Sequence, residues 1–377
     1  SERKIFDPRG DRPRPAPQGI KNHTPPGEAV KAAPMKNILK NAGFLPLKNS
    51  DRPLYQKYFG GPLLDLCFCA LSAYWEEIYY KEYQGCLCLI LKEEGRFFAL
   101  PPMERILPEG TPRFNADKDC SAPPAAGAYL SSRENPSPGA SPSIQSENAG
   151  GKYKSAPQKN SLEQKHAAVE FICGLFLRAR IKPRFEYIPL SQLELFKGFS
   201  AGFDPRFSDC VLPQEQLLRL SWKFKHKTAD YNYFVRTVPG AEIHPFNSQN
   251  APLFEEALNN WCAGRDCAQC LFGCEKEILK KYISGYPSNG ACGITVTDRG
   301  RPIGCIIGEA SNNCLYYCFG KSDKRYNGLS VYMYIEFARR FPAEWVNLGS
   351  DGGLEGLRRF KDKFAPYQRL DKYWAEL

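Results

Sequence analysis

The chain has 377 residues, a length that predicts two domains. Hydrophobic residues make up 42% of it and charged residues 24%, a composition that excludes a wholly disordered chain and a collagen-like one. The sequence contains no run of about 18 consecutive apolar residues, and no apolar segment follows the N-terminal arginines. We therefore expect neither a transmembrane helix nor a signal peptide.

The net charge favours an anionic partner, and the cysteines favour a reducing compartment. The 51 lysines and arginines exceed the 41 acids, and the formal charge of +10 favours nucleic acid, a phosphorylated cofactor or an acidic membrane surface. Ordinary solubility is the alternative explanation of this charge. Fifteen cysteines without a secretory signal are expected to be thiols in a reducing cytoplasm, most of them buried as small hydrophobic side chains.

Two segments are predicted to lack regular structure. Residues 1–34 hold seven prolines and seven basic residues without an apolar period, so we expect a disordered basic tail over residues 1–46. Residues 101–160 hold ten prolines and eight serines, which predicts a flexible Pro/Ser-rich insertion over about 105–160.

The first half predicts a β-hairpin and, after the insertion, an amphipathic helix, a strand and a short helix. The hairpin turns at Glu94-Gly95, and Ser161 is the expected N-cap of the long helix. In chain order the predicted elements span residues 85–92, 97–100, 161–180, 185–190 and 193–199.

The second half shows the clearest order. Residues 206–250 form a bridge, within which residues 217–236 are predicted to be helical and strongly basic at the centre. Two helices, three strands, a helix, a strand, a helix and a terminal strand follow, and those before the terminal strand span about 253–263, 275–283, 291–297, 303–309, 314–320, 329–340, 344–348 and 354–364. Both halves share the outline hairpin, helix, strand, helix, which predicts a duplicated fold with domains at 47–207 and 208–377.

The loop before the helix at 329–340 has the pattern of an anion site. It reads KSDKRYNGLS over 321–330. Backbone N–H groups and the dipole at a helix N-terminus favour an anion, a glycine lets the backbone approach it, and an arginine adds charge. We expect Arg325, Asn327, Gly328 and Ser330 to bind a pyrophosphate or a 3′-terminal phosphate of tRNA. The alternative is a hairpin turn, which Asn-Gly also favours.

At this point a family resemblance is visible. Three antiparallel strands, an Arg-x-x-Gly-x-Ser loop, a helix, a strand and a helix resemble the GNAT acyltransferase fold. The segment VNLGSDGGLEGLRRFK at 346–361 resembles a soluble family related to the C-terminal domain of lysyl-phosphatidylglycerol synthase. FKDKF at 360–364 is similar to an element of the related Fem-type enzymes. The resemblance covers about residues 50–105 and 160–377.

The resemblance implies an α+β fold of two GNAT-like lobes, with the donor site in the second lobe because the first half lacks an Arg-x-x-Gly loop. It implies an aminoacyltransferase that takes its aminoacyl group from aminoacyl-tRNA and passes it to an amine or hydroxyl on a lipid, peptide or small molecule. No tightly bound cofactor is expected, tRNA is the expected partner, and peripheral membrane contact is compatible with the charge. An acyl-CoA-dependent N-acyltransferase and a non-catalytic RNA- or protein-binding module are the alternatives.

Three residues of the C-terminal motif are candidate catalytic residues. Arg358 and Lys361 lie three apart on one helical face, where they are expected to bind phosphate or stabilise an oxyanion. Asp351 is expected to accept a proton from the nucleophile or to hold Arg358 in place. A turn at Asp351 and a solvated cationic helix face are the alternatives.

Four further residues are candidate substrate ligands. The sequence RLSWKFKHK at 219–227 mixes basic and aromatic residues, a composition typical of single-stranded RNA binding, and includes Lys223 and Lys227. Inward packing of the aromatic residues is the alternative. The resemblance adds Asn347 and Glu309, and for Glu309 pairing with a nearby arginine is the alternative.

The remaining motifs serve mainly to exclude a metal site and several enzyme classes. Cys262, Cys267, Cys270 and Cys274 have a spacing that zinc and iron–sulfur sites use, but cysteines are frequent throughout the chain and we expect no metal. A Ser-His-Asp triad, a Walker loop and a dinucleotide-binding loop are missing from the sequence, which disfavours hydrolase, ATPase and dinucleotide redox chemistry.

Overall fold

The computed structural model describes residues 32–106, 159–263 and 274–377. Most of the predicted tail and insertion therefore lies outside the described residues. The tail prediction is wrong for residues 32–46, where a helix, α1, places Met35 and Leu39 in the core of the first lobe. These two apolar residues are one helical turn apart, so a single face of α1 packs inward.

The first lobe is built on an eight-stranded sheet with the order β1-β2-β3-β4-β6-β15-β7, with β5 beside β3. Its elements are α1 (Ala32–Asn41), β1 (Leu45–Pro46), α2 (Arg52–Tyr55), α3 (Phe68–Tyr74), β2 (Glu77–Tyr83), β3 (Cys86–Glu93), β4 (Arg96–Ala99), β5 (Met103–Glu104), α4 (Lys159–Arg178), β6 (Arg184–Ile188) and β7 (Ser200–Phe203). The predicted short helix at 193–199 is a 3-10 helix at Leu190–Phe196.

The second lobe is built on a seven-stranded sheet with the order β14-β8-β13-β12-β11-β10-β9. Its elements are β8 (Asp209–Pro213), α5 (Gln214–Leu218), α6 (Lys225–Thr237), β9 (Ala241–Pro245), α7 (Ala251–Cys262), α8 (Glu275–Gly285), β10 (Ala291–Asp298), β11 (Arg301–Ser311), β12 (Cys314–Ser322), α9 (Leu329–Arg340), β13 (Trp345–Asn347), α10 (Glu355–Asp362) and β14 (Gln368–Leu370). The last strand, β15 (Tyr373–Glu376), leaves this lobe and pairs with β6 and β7 of the first sheet.

The single helix predicted over 217–236 is wrong, because the chain breaks between α5 and α6. The Thr228 hydroxyl bonds to both the N–H and the carbonyl of Ser221, at 3.1 and 3.0 Å, and holds Ser221 extended. A 3-10 turn, Trp222–Phe224, then leads into α6. A hydroxyl that competes for backbone groups ends a helix that propensity alone would continue.

One hydrophobic core lies between the two lobes and contains residues of both. The run from Cys86 to Leu91 in β3 is buried throughout, since both faces of the strand are covered. Cys86, Cys88 and Ile90 pack with α1 and α4, whereas the alternate leucines join a core that includes Phe254, Tyr282 and Tyr316 of the second lobe. Among the described residues, no helix is long and apolar enough to cross a membrane.

A buried ion-pair network also joins the lobes. Lys372, just before β15, has a side chain that is 7% exposed. Its Nζ lies 2.7 Å from Oδ1 of the fully buried Asp209 and also pairs with Asp65 of the first lobe. Burial opposes the charge on the lysine, but Asp209 and Asp65 outweigh it and raise the pKa of Lys372.

We expect Lys372→Met to lower the free energy of unfolding by about 3–5 kcal/mol, because it leaves buried carboxylates without their cation. Urea unfolding followed by circular dichroism measures the change. Lys182→Met is the matched control. It removes an ion pair to Glu376 of β15 from a side chain that is 62% exposed, and the loss should stay within about 1 kcal/mol. Equal losses in the two variants would contradict the structural role of Lys372.

Candidate active site

Two parallel strands of the second sheet separate towards their C-terminal ends. Three residue pairs join β12 to β13, the last of them Tyr316 with Asn347. Beyond that pair β12 continues to Ser322. The segment after β13 instead stays paired with β8, where the Leu348 N–H donates to the Cys210 carbonyl at 2.8 Å. Beyond Tyr316 and Asn347 the two strands are no longer paired, and we call this unpaired stretch the gap. Ligands bind at the C-terminal ends of the strands in open sheets with parallel strands.

The loop from β12 into α9 has the predicted strand–loop–helix geometry, and the alternative of a hairpin is wrong. Gly328 is the N-cap of α9, with a left-handed φ of +83°. It also packs tightly against α6, since a Cβ at this position would lie 2.1 Å from the Asp230 carbonyl oxygen. The hydroxyls of Ser322 and Ser330 lie 2.6 Å apart and join the end of β12 to the first turn of α9.

Arg325 is 64% exposed at this loop, and its guanidinium pairs with Asp323. The contact lowers the pKa of Asp323, so this carboxylate stays charged and neutralises part of the arginine's charge. Asn327 is exposed beside Arg325. An anion at the loop would therefore meet a helix N-terminus and a guanidinium already oriented by a carboxylate.

Lys361 of α10 lies under the loop that follows β13. Its side chain is 3% exposed, and Nζ donates to the carbonyls of Gly349 and Ser350 at 2.8 and 2.6 Å. Burial lowers the pKa of Lys361 to about 8. Phe360 and Phe364 flank the lysine and pack on Tyr334 of α9, with ring centroids 4.9 and 5.6 Å away. The aromatic contacts fix the position of α10, and the helix in turn places the lysine side chain under the loop.

Asp351 belongs to the same loop and is fully buried. It accepts hydrogen bonds from the Gly353 N–H at 2.9 Å, from Arg358 at 3.0 and 3.1 Å and from Arg369 at 3.1 Å. Burial opposes its charge, but these donors lower the pKa of Asp351. Of the two roles expected for Asp351, the structure shows the one in which it holds Arg358. The catalytic roles of Asp351, Arg358 and Lys361 stay predictions.

Glu309 and Asn347 are both buried where the lobes meet. Glu309 pairs with Arg52 at 3.3 Å and accepts the Cys69 N–H at 2.8 Å, which is the alternative foreseen from the sequence. The amide of Asn347 donates to the Pro62 carbonyl and its oxygen accepts the Gly349 N–H, both at 2.7 Å. Their contacts are with the protein, and substrate binding by either residue stays a prediction.

The two lysines of the basic bridge have different surroundings. Lys223 is exposed beside Trp222. Lys227 is fully buried, and its Nζ donates to the carbonyls of Gln216 and Leu217 at 2.8 and 2.9 Å, at the C-terminal end of α5. Burial lowers the pKa of Lys227 to about 8. Only Lys223 of this pair presents its charge to solvent.

The structure adds residues that the sequence did not single out. Arg369 of β14 reaches Asp351 through the pairing of β14 with β8, a contact that no local pattern reveals. A cavity of about 250 Å³ lies in the first lobe, where Ser72, Trp75 and Glu76 line part of it. It has no lining residue from the second lobe, so it is separate from the predicted donor loop.

The cysteine cluster is only partly described, because Cys267 and Cys270 lie outside the described residues. Cys262 ends α7 and Cys274 precedes α8. Within the described ranges, no three His, Cys, Asp or Glu side chains are grouped as metal ligands.

A family model described as "Phosphatidylglycerol lysyltransferase, C-terminal" matches residues 161–376. This match confirms the resemblance seen in the sequence. Lysyl transfer is an acyl transfer, so the predicted enzyme class, acyltransferase, is also confirmed. The sequence matches no protein of curated function.

Solved structures give the same fold. A conserved Bacteroides thetaiotaomicron protein of unknown function is 17% identical with a TM-score of 0.69, covering 89% of this chain and 99% of its own. L-PGS from Bacillus licheniformis is 12% identical with a TM-score of 0.52, covering 93% and 94%. FemX is 10% identical with a TM-score of 0.54, covering 89% and 97%. At these identities the likeness shows the fold alone, and it confirms the α+β fold of two GNAT-like lobes.

We expect Gly328→Ala to lower the free energy of unfolding by at least about 2 kcal/mol, since it adds left-handed strain and a clash with α6. Gly356→Ala in α10 is the control. A Cβ there meets nothing within 4 Å, so alanine should stabilise the helix by about 0.5–1 kcal/mol. Urea unfolding of both variants tests the contrast, and an unchanged Gly328→Ala midpoint would contradict the tight contact.

Proposed function

Because this chain belongs to the phosphatidylglycerol lysyltransferase C-terminal family, we propose that it transfers an aminoacyl group from aminoacyl-tRNA to an amine or hydroxyl acceptor. The acceptor belongs to a lipid, a peptide or a small molecule. The observation that carries the proposal is the position of Lys361, a buried cation held on two carbonyls of the loop that borders the gap between β12 and β13.

The reaction requires alignment and charge stabilisation. The acceptor nitrogen or oxygen attacks the ester carbonyl that joins the amino acid to the terminal ribose, and a tetrahedral oxyanion forms. The carbon–oxygen bond to the ribose then breaks, the ribose oxygen gains a proton, and the acceptor loses one. The ester is already activated, so holding donor and acceptor together supplies much of the rate. A buried cation stabilises the oxyanion more strongly than an exposed one.

The charged residues have two tasks, which are to bind anionic groups of the donor and to stabilise the reacting carbonyl. The loop with Arg325, Gly328 and Ser330, at the N-terminus of α9, binds phosphates of the donor. Arg358 is held by Asp351 and is 48% exposed, so it remains accessible to a second anionic group. Lys361 lies deeper and acts on the reacting carbonyl.

An acyl-CoA donor is the second candidate, and the geometry of the α9 loop favours it. A strand–loop–helix unit with Gly328 at the N-cap suits the pyrophosphate of CoA as well as RNA phosphates. Competition separates the two donors. CoA displaces a labelled aminoacyl-tRNA if the loop is a CoA site, whereas deacylated tRNA displaces it if the RNA is the ligand.

Single-turnover transfer from labelled aminoacyl-tRNA tests the role of Lys361. We expect Lys361→Met to slow transfer by at least about 100-fold, because the cation beside the developing oxyanion is lost. Lys363→Met is the matched control, since Lys363 is the C-cap residue of the same helix. Lys363 pairs with Asp230 at 2.5 Å, and its loss should leave transfer within about twofold. Wild-type transfer by the Lys361 variant would refute its role, and no transfer by the wild type from any charged tRNA would refute the proposed donor.

The pH dependence gives an independent test. The pKa of Lys361 is lowered to about 8 by burial, so the side chain is charged below that pH and neutral above it. The ratio of wild-type to Lys361→Met rates should therefore be constant below pH 8 and fall as pH rises through it. Taking the ratio cancels titration of the acceptor. A ratio that stays constant up to pH 9.5 would show that the charge on Lys361 does not assist transfer.

A further inference from the structure

The turn between α5 and α6 displays an aromatic ring to solvent. The side chain of Trp222 is 81% exposed, and Lys223 Nζ lies 5.9 Å from its ring centroid. Tyr233 on α6 is 42% exposed, and the Arg236 guanidinium lies 5.9 Å from its ring. Both rings thus lie beside a cation, an arrangement that suits stacking on planar, electron-rich groups next to negative charge.

Six of the exposed positions of α6 form one face. Residues 225, 226, 229, 232, 233 and 236 are all exposed and follow the three- and four-residue spacing of a helix. The sequence has no acid between Gln216 and Ala229. Asp230 is the single acid in α6, and Lys363 neutralises it at 2.5 Å. The face is therefore cationic.

The residues on either side of Trp222 are held in place. Thr228 fixes Ser221 on one side of the turn through two hydrogen bonds. On the other side, Nζ of the buried Lys227 lies 4.4 Å from the Phe224 ring centroid. The turn that carries the Trp222 ring therefore needs little further ordering of its backbone when a ligand binds.

The helix that carries this face packs against the predicted donor loop through residues outside the face. A Cβ on Gly328 would approach the Asp230 carbonyl of α6 to 2.1 Å and the Phe234 Cβ to 3.2 Å, so α6 directly contacts the N-cap of α9. α6 has 13 residues, a length of about 20 Å. A strand whose terminal phosphates reach the α9 loop would therefore have α6 within its reach.

We propose that this face, the α6 platform (Trp222, Lys223, Lys225, Tyr233 and Arg236), binds an unpaired RNA strand, with Trp222 stacking on a base. The inference rests on the proposed function, since the strand is the 3′ end of the donor RNA. The pattern of α6 argues against a membrane surface. A helix that lies in a membrane needs a continuous apolar face, and Phe234 of α6 is instead buried in the core of the second lobe.

Binding of a fluorescein-labelled single-stranded RNA ending in CCA, followed by anisotropy, tests the proposal. Trp222→Phe keeps a stacking ring and should bind within about threefold of wild type. Trp222→Leu keeps an apolar side chain without a stacking face and should bind at least about tenfold more weakly. Lys223→Gln should lower the slope of log affinity against log salt by about 0.7, the value for one phosphate contact on a single strand.

Anionic phospholipid vesicles distinguish the membrane alternative. Equal RNA affinity for Trp222→Phe and Trp222→Leu would overturn the stacking role, and so would vesicle binding by both variants without RNA binding by the wild type. Single-turnover transfer at saturating aminoacyl-tRNA separates this proposal from the proposed function. Transfer that persists while the two variants bind RNA alike overturns the platform alone. RNA binding that depends on Trp222, without any transfer, supports the platform and overturns the enzyme reaction.

Discussion

The fully buried carboxylate of Asp209 constrains the position of the candidate active site. A carboxylate removed from water is costly unless its oxygens are satisfied. Here the partners come from three separate parts of the chain. The N–H of Leu64 in the first lobe and the amide of Asn347 at the end of β13 donate hydrogen bonds, and the ammonium of Lys372 before the last strand forms an ion pair. Satisfying one charge therefore fixes both lobes and the C-terminal segment against one another.

A series of hydrogen bonds connects Asp209 to the loop beside the gap. Asn347 donates to Asp209 and accepts the N–H of Gly349, and the carbonyl of Gly349 accepts a hydrogen bond from Lys361. Each link in this chain is buried or nearly so. The position of the Lys361 ammonium thus depends on contacts that begin at the lobe interface, although the sequence predicted only that Lys361 shares a helix face with Arg358.

Comparison of the two buried lysines shows what distinguishes Lys361. Both lysines donate to two backbone carbonyls, and burial lowers the pKa of each to about 8. Lys227 satisfies the carbonyls at the end of α5, which any helix C-terminus offers to a cation. Lys361 satisfies carbonyls of a loop at the parting of two parallel strands. A buried lysine that donates to two carbonyls therefore stabilises a helix end at Lys227, whereas at Lys361 the same arrangement lies beside a candidate active site.

Local periodicity predicted the elements that depend on local contacts. The helix predicted over 329–340 matches α9 at both ends, because the loop, the N-cap glycine and the apolar spacing all act within a few residues. The helix predicted over 217–236 was wrong because Thr228 competes for the backbone of Ser221. The return of β15 to the first sheet and the pairing of Arg369 with Asp351 depend on strand partners distant in sequence. Such pairings between distant segments leave no local pattern in a single sequence from which they could be predicted.

The first lobe has a structural role that does not depend on a donor loop. One short segment of it, Phe59 to Leu64, makes four polar contacts with the second lobe. The carbonyls of Phe59, Gly61 and Pro62 accept hydrogen bonds from the side chains of Asn312, Tyr316 and Asn347, at 2.6, 2.8 and 2.7 Å, and the Leu64 N–H donates to Asp209 at 2.9 Å.

Three of these four partners, Tyr316, Asn347 and Asp209, belong to β12, β13 and β8, the strands at or beside the gap. Backbone groups are suited to this role because their direction is set by the fold and costs little further entropy to fix. The first lobe therefore fixes the position of the second lobe's site through its backbone. Its sequence can lose a phosphate-binding loop without losing that role.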